Sequence, residues 1–533
     1  MPPQGDRMES RAKLRESEPR GYRFTPEFHR VELPKFVMPP QGGGMEYTMK
    51  KKLVILLAAV LLLTALPLSL VSCSQASRLL RMEEGSRAAA FFRLVNGKSA
   101  MARSASMEQT FTTKLDLNGV AYEQVTDVVM TYILERTDMT HLEQAKTTVI
   151  SSGMAEVIYE DRGYANGEMF LYSKEGGAEV RLKSAVTAEE YNAFLGELNA
   201  EDSEILVGEG YCSTMTCVQN EDKTWTATYE GFTEAGMEPF LKMLAGIEYL
   251  VTAEHKLKDV RMTYSADAKL YPLESRIDFI FETNPDAAGA VPVISTHTRY
   301  KGWNNTVLAA PYDTEGFTEV EDARWVDRFL TSLRRRETAA EGRFTVKSVT
   351  DARYAGGGSN RVELDGEMTF WNRNGMEVSF DYDQAGYRYA LDYAKGNMKV
   401  TVRDSQTGET VTNETQPMTD GEAQSLVAQT MNSESISLAD LADVTVKDAA
   451  NGICRFTLSE AVKNSLREVY QYQLGGDILE FNGYVEAAVK DGKLTAYTYH
   501  VYASFRVDKQ HTLFLNVDFT VTFLELTESG EAV

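Results

Sequence analysis

The residues of this sequence that could do covalent chemistry are its four cysteines. Cys73 ends the run Leu70-Val71-Ser72-Cys73, Cys212 and Cys217 are separated by four residues, and Cys454 stands alone. A cysteine can be acylated, can pair in a disulfide or can bind a metal, and its neighbours and compartment decide which. Because the sequence has no Cys-x-x-Cys pair, a zinc site of that kind is excluded.

The spacing of Cys212 and Cys217 leaves two alternatives open. An oxidising compartment would allow a disulfide between them. Pairs this close along a chain often fail the geometry of a disulfide, and the two thiols would then be reduced and partly buried.

Other motifs for catalysis or metal binding are missing after Cys73. The sequence there has no Gly-x-Ser-x-Gly, no His-Glu-x-x-His and no Ser-x-x-Lys. No two of the histidines that follow have metal-ligand spacing: His141, His255, His297, His500 and His511. We therefore predict a protein that is not an enzyme and that needs no metal and no cofactor.

The elements before Cys73 form a targeting signal. Met49-Lys50-Lys51-Lys52 precedes an apolar run from Leu53 to Val71, which is broken only by a Thr, a Pro and a Ser. A basic segment, an apolar core and small residues before a cleavage point are typical of a secretory signal. The sequence predicts a signal peptide over residues 49–72.

The ending Leu70-Val71-Ser72-Cys73 resembles the lipobox of bacterial lipoproteins. The resemblance implies that a diacylglycerol is attached to the thiol of Cys73, that the signal is removed, and that Cys73 becomes the acylated first residue, carrying chains such as palmitate. The alternative is an uncleaved transmembrane helix. Both place the rest of the chain on the extracytoplasmic side of the cell membrane, because Lys50 to Lys52 remain inside.

Residues 1–48 precede this signal, although a signal normally begins a protein. Gln41-Gly42-Gly43-Gly44 lies just before Met45 and Met49, and purine-rich codons for such a run could act as a ribosome-binding site. We expect translation to start at Met49 or Met45. The alternative is a disordered cytoplasmic tail.

The charge of the chain excludes one class of partner. It carries 78 Asp and Glu against 55 Lys and Arg, a net charge of −23. Such a protein repels nucleic acid, so we predict no binding to DNA or RNA. The length after Cys73 is enough for several domains with proper cores.

Paired landmarks along the chain indicate an internal repeat. Thr187-Ala188-Glu189-Glu190 and Thr419-Asp420-Gly421-Glu422 are both helix capping boxes. Phe111-Thr112-Thr113-Lys114 and Phe344-Thr345-Val346-Lys347 match at nearly the same shift. A common order and a common shift indicate duplication.

The repeat sets the predicted domain boundaries. We expect a short tether over 73–85, a first repeat over 86–303, a linker over 304–318, a second repeat over 319–528 and a tail over 529–533. Each repeat begins with a helix, which in the first copy starts at Ser86 and ends at Asn96-Gly97. Long period-2 strands follow, and the clearest alternates from Leu513 to Phe523.

This order of elements predicts an α+β fold: two tandem repeats of a long curved antiparallel sheet, each a half-barrel with a few helices on its concave face. In outline it resembles the lipoprotein-carrier superfamily of LolA and LppX type, and uncharacterised lipoproteins of Firmicutes built on that plan. The resemblance implies a cavity for acyl chains between sheet and helices. Its predicted lining is Leu466, Val469, Phe519 and Phe523; the alternative is that these apolar rows close on each other as core.

Two functions remain open. The first is a membrane-anchored lipoprotein that binds or carries a lipid-like or peptide ligand. The second is a structural or interaction module of a cell-envelope assembly or membrane sensor, with a protein partner and no small ligand. A dry apolar cavity would favour the first, and an exposed groove or edge strand would favour the second.

Overall fold

A computed structural model describes residues 75–527 of the chain, apart from 118–119, 136–137, 200–204, 245–256, 283–290, 309–311, 338, 340, 356, 373–375, 432–435, 475–476, 491–492 and 507–510. This part of the chain is α+β, as the sequence predicts, and strands dominate it. Two large sheets, antiparallel almost throughout, contain all of its strands.

The first sheet is formed by the strands between Ser104 and Glu319. They are β1 Ser104–Leu117, β2 Val120–Leu134, β3 Met139–Ser151, β4 Met154–Ala165, β5 Glu168–Glu175, β6 Ala178–Ala185, β7 Cys212–Gln219, β8 Trp225–Phe232, β9 Leu257–Ala266, β10 Pro272–Phe281, β11 Val293–Lys301 and the short β12 Thr318–Glu319.

The second sheet is formed by the strands between Glu341 and Thr527. They are β13 Glu341–Tyr354, β14 Ser359–Asn372, β15 Met376–Gln384, β16 Tyr387–Ala394, β17 Asn397–Asp404, β18 Thr410–Pro417, β19 Leu441–Asp448, β20 Ile453–Leu458, β21 Asp477–Lys490, β22 Lys493–Arg506 and β23 Thr512–Thr527.

The two sheets have the same strand order. The first runs β12-β6-β5-β4-β3-β2-β1-β11-β10-β9-β8-β7, and the second runs β18-β17-β16-β15-β14-β13-β23-β22-β21-β20-β19. In each sheet the first long strand therefore lies between the second strand and the last. The exception is β12, which adds to the first sheet by parallel pairing with β6.

Seven α-helices accompany the sheets in the described residues. They are α1 Gln75–Leu79, α2 Glu84–Ala100, α3 Ala188–Asn199, α4 Glu234–Met243, α5 Ala323–Glu337, α6 Asp420–Met431 and α7 Glu460–Leu474. Helices α2 and α4 pack on the β7–β10 side of the first sheet, and α5 contacts strands of both sheets.

Both predicted capping boxes are confirmed. The Thr187 N–H donates to a carboxylate oxygen of Glu190 at 2.9 Å, and the Glu190 N–H donates to the Thr187 hydroxyl at 3.2 Å. Thr419 and Glu422 repeat the exchange at 2.7 and 3.2 Å. Each box satisfies donors that the first turn of a helix leaves unpaired.

Helix α2 is longer than the sequence predicts. It begins at Glu84 and ends at Ala100, so Ser86 and Asn96-Gly97 all lie inside it. A glycine inside a helix costs only about 1 kcal/mol relative to alanine. Burial of Phe91, Phe92 and Val95 on one face outweighs that cost.

Folded structure starts inside the segment predicted to be a tether. Leu79, at the end of α1, is only 1% exposed and packs in the core of the first sheet. Arg87 on α2 holds this segment in place. Its Nε donates to the Leu79 carbonyl at 3.1 Å and its Nη2 donates to the Met82 carbonyl at 2.8 Å.

The largest core joins the two sheets. It includes Tyr164 and Tyr191 from the first sheet and its helix α3, and Phe329 from α5. Phe329 stacks on Phe456 of the second sheet, with ring centroids 4.7 Å apart. A separate core lies between the first sheet and α1, α2 and α4.

Candidate functional site

The predicted lipidation site, Cys73, lies outside the described residues, as do the signal at 49–72 and the segment at 1–48. The described helices are all too short or too polar to span a membrane. Because Cys73 is outside the described residues, the lipid anchor stays a prediction.

The structure decides between the two alternatives for Cys212 and Cys217: both are free, buried thiols. Cys212 is the first residue of strand β7, and Cys217 lies five residues further along the same strand. Five residues of extended chain span about 16 Å, whereas bonded cysteines have Cα atoms within about 7 Å. Of the two alternatives, the disulfide is therefore excluded in this fold.

The free thiols are also poor nucleophiles. Burial raises the pKa of Cys217 to about 12 and also raises the pKa of Cys212. Cys454 is buried as well, and its pKa is raised to about 12. Since the thiolate is the reactive form, these cysteines are structural.

The predicted apolar lining on β23 belongs to the core. The Phe523 ring lies 6.1 Å from the rings of both Phe344 and Tyr497, and Phe519 also packs against this core. Leu466 and Val469 lie on α7, but their side chains are outside the described part of the chain. The structure thus fills the space beside Phe523 with aromatic side chains.

A second feature, which the sequence motifs do not predict, is a band of buried polar side chains on the first sheet. We call it the polar strip. It crosses the inner face of the four neighbouring strands β11, β1, β2 and β3, where the inner face is the one with buried residues. Its members are Thr296, Thr298, Gln109, Thr113, Gln124, Thr126 and Thr147.

The strand register brings the strip together. Thr113 is paired with Gln124 across β1 and β2, and Thr126 is paired with Thr147 across β2 and β3. On the other side of β1, Gln109 is paired with Thr298. Directly opposed residues on one face of a sheet have Cβ atoms about 4.5–5.5 Å apart.

Part of the strip is joined by its own hydrogen bonds. The Tyr122 hydroxyl donates to the Gln124 amide oxygen at 2.6 Å, and the Thr126 and Thr147 hydroxyls lie 3.1 Å apart. The Gln109 amide nitrogen donates to the Thr298 hydroxyl at 3.0 Å. These bonds offset the cost of burying polar groups.

Three polar atoms of the strip lack a hydrogen-bond partner among the protein groups of the structure. They are Gln109 Oε1, Thr113 Oγ1 and Thr296 Oγ1. The three residues are at most 5% exposed. A buried polar atom left unpaired costs about 1–3 kcal/mol. A ligand that forms hydrogen bonds with these three atoms would remove that cost.

The second sheet has apolar residues at the equivalent positions. Thr296, Phe111, Thr126 and Thr147 follow one another across β11, β1, β2 and β3. The corresponding row across β23, β13, β14 and β15 is Phe523, Phe344, Met368 and Phe380. The two sheets share an order of strands but differ in the chemistry of their inner faces.

A signal for the strip is present in the sequence. Met107, Gln109, Phe111, Thr113 and Leu115 alternate along β1, so the parity of the strand places Gln109 and Thr113 on the apolar face. Threonine is common in strands on either face, however, and only the burial of this face identifies the strip.

A buried ionic cluster lies beyond the strip, where the first sheet meets α5. Arg162 on β4 donates from Nε to the Glu143 carboxylate at 2.7 Å, and its Nη1 lies 3.6 Å from the Asp327 carboxylate. His141, two residues before Glu143 on β3, is hydrogen-bonded through Nδ1 to the Tyr191 hydroxyl at 2.8 Å. The Nε2 atom of His141 is buried without a partner.

Burial dominates the protonation of this cluster. It lowers the pKa of His141 to about 3, helped by the positive charge of Arg162. It raises the pKa of Glu143, although Arg162 opposes that shift. It also raises the pKa of Tyr191. His141 is therefore neutral near pH 7. Through the contacts of Arg162 and His141, the cluster connects strands β3 and β4 to helices α3 and α5.

Metal binding finds no support in the described residues. They contain no group of three or more His, Cys, Asp or Glu side chains that could hold a metal ion.

Comparison with known proteins yields no family. No protein-family model matches the chain, and no curated protein matches it. Among solved structures, a protein of Nitrosomonas europaea described as a candidate AttH has 9% identity and a TM-score of 0.12, over 78% of this chain and 92% of that chain. A DUF3598-family protein of unknown function from Nostoc punctiforme has 7% identity and a TM-score of 0.11, over 79% and 95%. At these TM-scores neither likeness supports an argument.

Proposed function

We propose that this protein is a lipid-anchored, extracytoplasmic binding protein without enzymatic activity, which holds an amphiphilic ligand between a sheet and its helices. The anchor is supported by Lys50 to Lys52, by the apolar run that follows and by the lipobox-like ending at Cys73. Folded structure from Gln75 onward would hold the first sheet close to the membrane surface.

The binding role rests on the proposal that each sheet is a half-barrel and that the two are copies of one another. The identical strand order of the two sheets supports a duplication, and so do the two capping boxes at corresponding places in the chain. In the superfamily of LolA and LppX type that this plan resembles, the space between sheet and helices holds acyl chains. A lipid-like ligand is therefore our first choice, and a peptide is the other.

Metabolic labelling with an alkyne analogue of palmitate tests the anchor. We expect the wild-type protein to be labelled and to fractionate with membranes. A Cys73→Ser variant should lose the label, and a Cys454→Ser variant, which alters a buried thiol, should keep it. Label that persists in Cys73→Ser would contradict lipidation at this residue.

An interaction module is the second candidate, because of one exposed edge. Strand β18 ends the second sheet, and almost all of its residues are exposed. An edge strand offers unpaired backbone groups to a strand of a partner.

Native mass spectrometry of the Cys73→Ser protein, combined with cross-linking in cells, separates the two functions. A co-purified amphiphile of defined mass supports the binding protein. A clean mass with no uptake of a fluorescent fatty acid contradicts it. The module would then be favoured if a photo-reactive residue at Asn413 on β18 cross-links one envelope protein, and the same residue at the exposed Gln144 does not.

A further inference from the structure

We infer that the polar strip of the first sheet binds the hydroxyl groups of a neutral amphiphile, at Gln109, Thr113 and Thr296. The inference rests on the proposed binding function and names the place and the chemical class of the ligand.

The three unpaired atoms belong to neighbouring positions on the same buried face of β1 and β11. Thr296 pairs with Phe111 on β1, and Gln109 and Thr113 are the next residues on the same face of β1 in either direction. Diagonal neighbours of this kind lie about 7–8 Å apart. Gln109 and Thr113 are themselves about 13 Å apart along β1, so a head group with more than one hydroxyl would be needed to reach all three side chains.

The chemistry of the three side chains selects hydroxyl groups. The Gln109 amide already donates to Thr298, so its oxygen needs a donor. Carboxylate and phosphate groups only accept hydrogen bonds and cannot satisfy that oxygen. Because no side chain of the strip is cationic, an anion would also be buried without a counter-charge. A hydroxyl both donates and accepts, so it suits the amide and the two threonines.

Apolar side chains flank the strip and suit an acyl chain. Phe111 lies between Thr296 and Thr126 in the same row, and Leu115 follows Thr113 along β1. Both are buried in the core that includes helix α2. A ligand with a hydroxylated end and an apolar tail therefore matches the polar side chains of the strip and the apolar side chains beside them.

One ligand per chain is expected. The equivalent row of the second sheet is Phe523, Phe344, Met368 and Phe380, which has no hydroxyl, amide or charged group. The residues of the strip are buried in this structure, so the side chains packed over them must move before a ligand can bind. Association should therefore be slower than the diffusion limit.

The test uses the full chain with Cys73→Ser, so that its own lipid does not compete, and native mass spectrometry to measure binding. The probes are 1-monooleoylglycerol, which has two free hydroxyls, and methyl oleate, which has the same acyl chain and none. A Thr113→Val, Thr296→Val pair removes the hydroxyls with little change in shape. As a control, the Thr113→Ser, Thr296→Ser pair keeps both hydroxyls. A second control, Thr112→Val, removes a hydroxyl from the opposite face of β1.

We expect one 1-monooleoylglycerol per chain and much weaker binding of methyl oleate. The Val pair should weaken 1-monooleoylglycerol binding by about tenfold or more, since each lost hydrogen bond costs a fewfold to tenfold in affinity. The Ser pair and Thr112→Val should bind nearly as the parent does. Thermal unfolding of each variant confirms that it is folded.

Two results would overturn the inference in distinguishable ways. If the Val pair binds 1-monooleoylglycerol as tightly as the parent, or if two molecules bind per chain, the strip is not the site, but the proposed function stands. If no variant and no parent protein binds either probe or any fatty acid, the proposed function falls with the inference.

Discussion

The Arg162 guanidinium lies 3.6 Å from the Asp327 carboxylate, and this ion pair connects strand β4 of the first sheet to helix α5, which leads into the second sheet. Arg162 also bonds Glu143 on the neighbouring strand at 2.7 Å. The side chains of both acids are less than 10% exposed, so one guanidinium neutralises two buried carboxylates.

Removal of that guanidinium should destabilise the protein strongly. Arg162→Met keeps an unbranched side chain but leaves Glu143 and Asp327 without their cation. We expect a loss of about 3–5 kcal/mol in the free energy of unfolding, as for other broken buried ion pairs. Urea unfolding measures it. The control is Arg353→Met, which breaks a surface pair with Asp351 and should change little. Equal losses in the two variants would contradict a structural role for the cluster.

His141 should make stability depend on pH. Its pKa is about 3 in the folded protein, against an ordinary value of 6.5. Between these values the unfolded chain binds a proton at His141 that the folded chain does not, so stability falls as the pH falls from 6.5 towards 3. The slope is about 1.4 kcal/mol per pH unit at most.

The comparison variant for this effect is His141→Asn, whose amide can still bond Tyr191. It should lose the slope that His141 contributes. The raised pKa of Glu143 makes stability rise as the pH falls, which opposes the effect of His141. The quantity to compare is therefore the difference in unfolding free energy between the parent and His141→Asn at each pH. His500→Asn, at a histidine bonded to Asp518 near the surface, is the control. Identical pH profiles for His141→Asn and the parent would contradict the assignment.

Reducing agent should not change the stability of the protein. Cys212 and Cys217 are free and lie five residues apart along the extended strand β7, so there is no bond between them to reduce. The unfolding temperature should be the same with and without dithiothreitol. Intact mass after alkylation in denaturant should show both thiols modified, and slow alkylation before unfolding should follow from their raised pKa and burial. A mass two protons lower that resists alkylation would indicate a disulfide.

Gly452 should not tolerate a side chain. It has a φ of +68°, and a Cβ there would lie 1.8 Å from the Val489 carbonyl oxygen. Gly408 has a φ of +72° but open space around it. Gly408→Ala should cost about 1–2 kcal/mol from the backbone alone. Gly452→Ala should cost at least about 2 kcal/mol more, because the β19–β20 turn must move. Similar unfolding free energies for the two variants would contradict the close approach at Gly452.

Local features were predictable because they depend on neighbours in sequence. The boxes at Thr187 and Thr419 need only residues three positions apart, and both are confirmed. The alternation of β23 is confirmed as well, with Leu513, Leu515 and Val521 buried. The sequence predicts that α2 ends at Asn96-Gly97, but the helix continues to Ala100 because Phe91 and Phe92 pack in the core.

The candidate site depended on strand pairing, which the sequence does not display. Gln109 and Thr296 are far apart in the chain, and only the register of β1 with β11 brings them onto one buried face. The alternation of β23 predicts that Phe523 lines a cavity. The structure places it against Phe344 and Tyr497 instead.

The sequence by itself determined the capping boxes, the strand periodicity and the α+β class, because each follows from residues within a turn or a strand of one another. It also supplies the expectation of a lipid anchor at Cys73. The tertiary structure alone decided that Cys212 and Cys217 are apart, that Arg162 joins Glu143 to Asp327, and that a polar strip crosses the inner face of the first sheet where the equivalent row of the second sheet is apolar. Those relations arise from register and packing, which bring together residues that no local pattern connects.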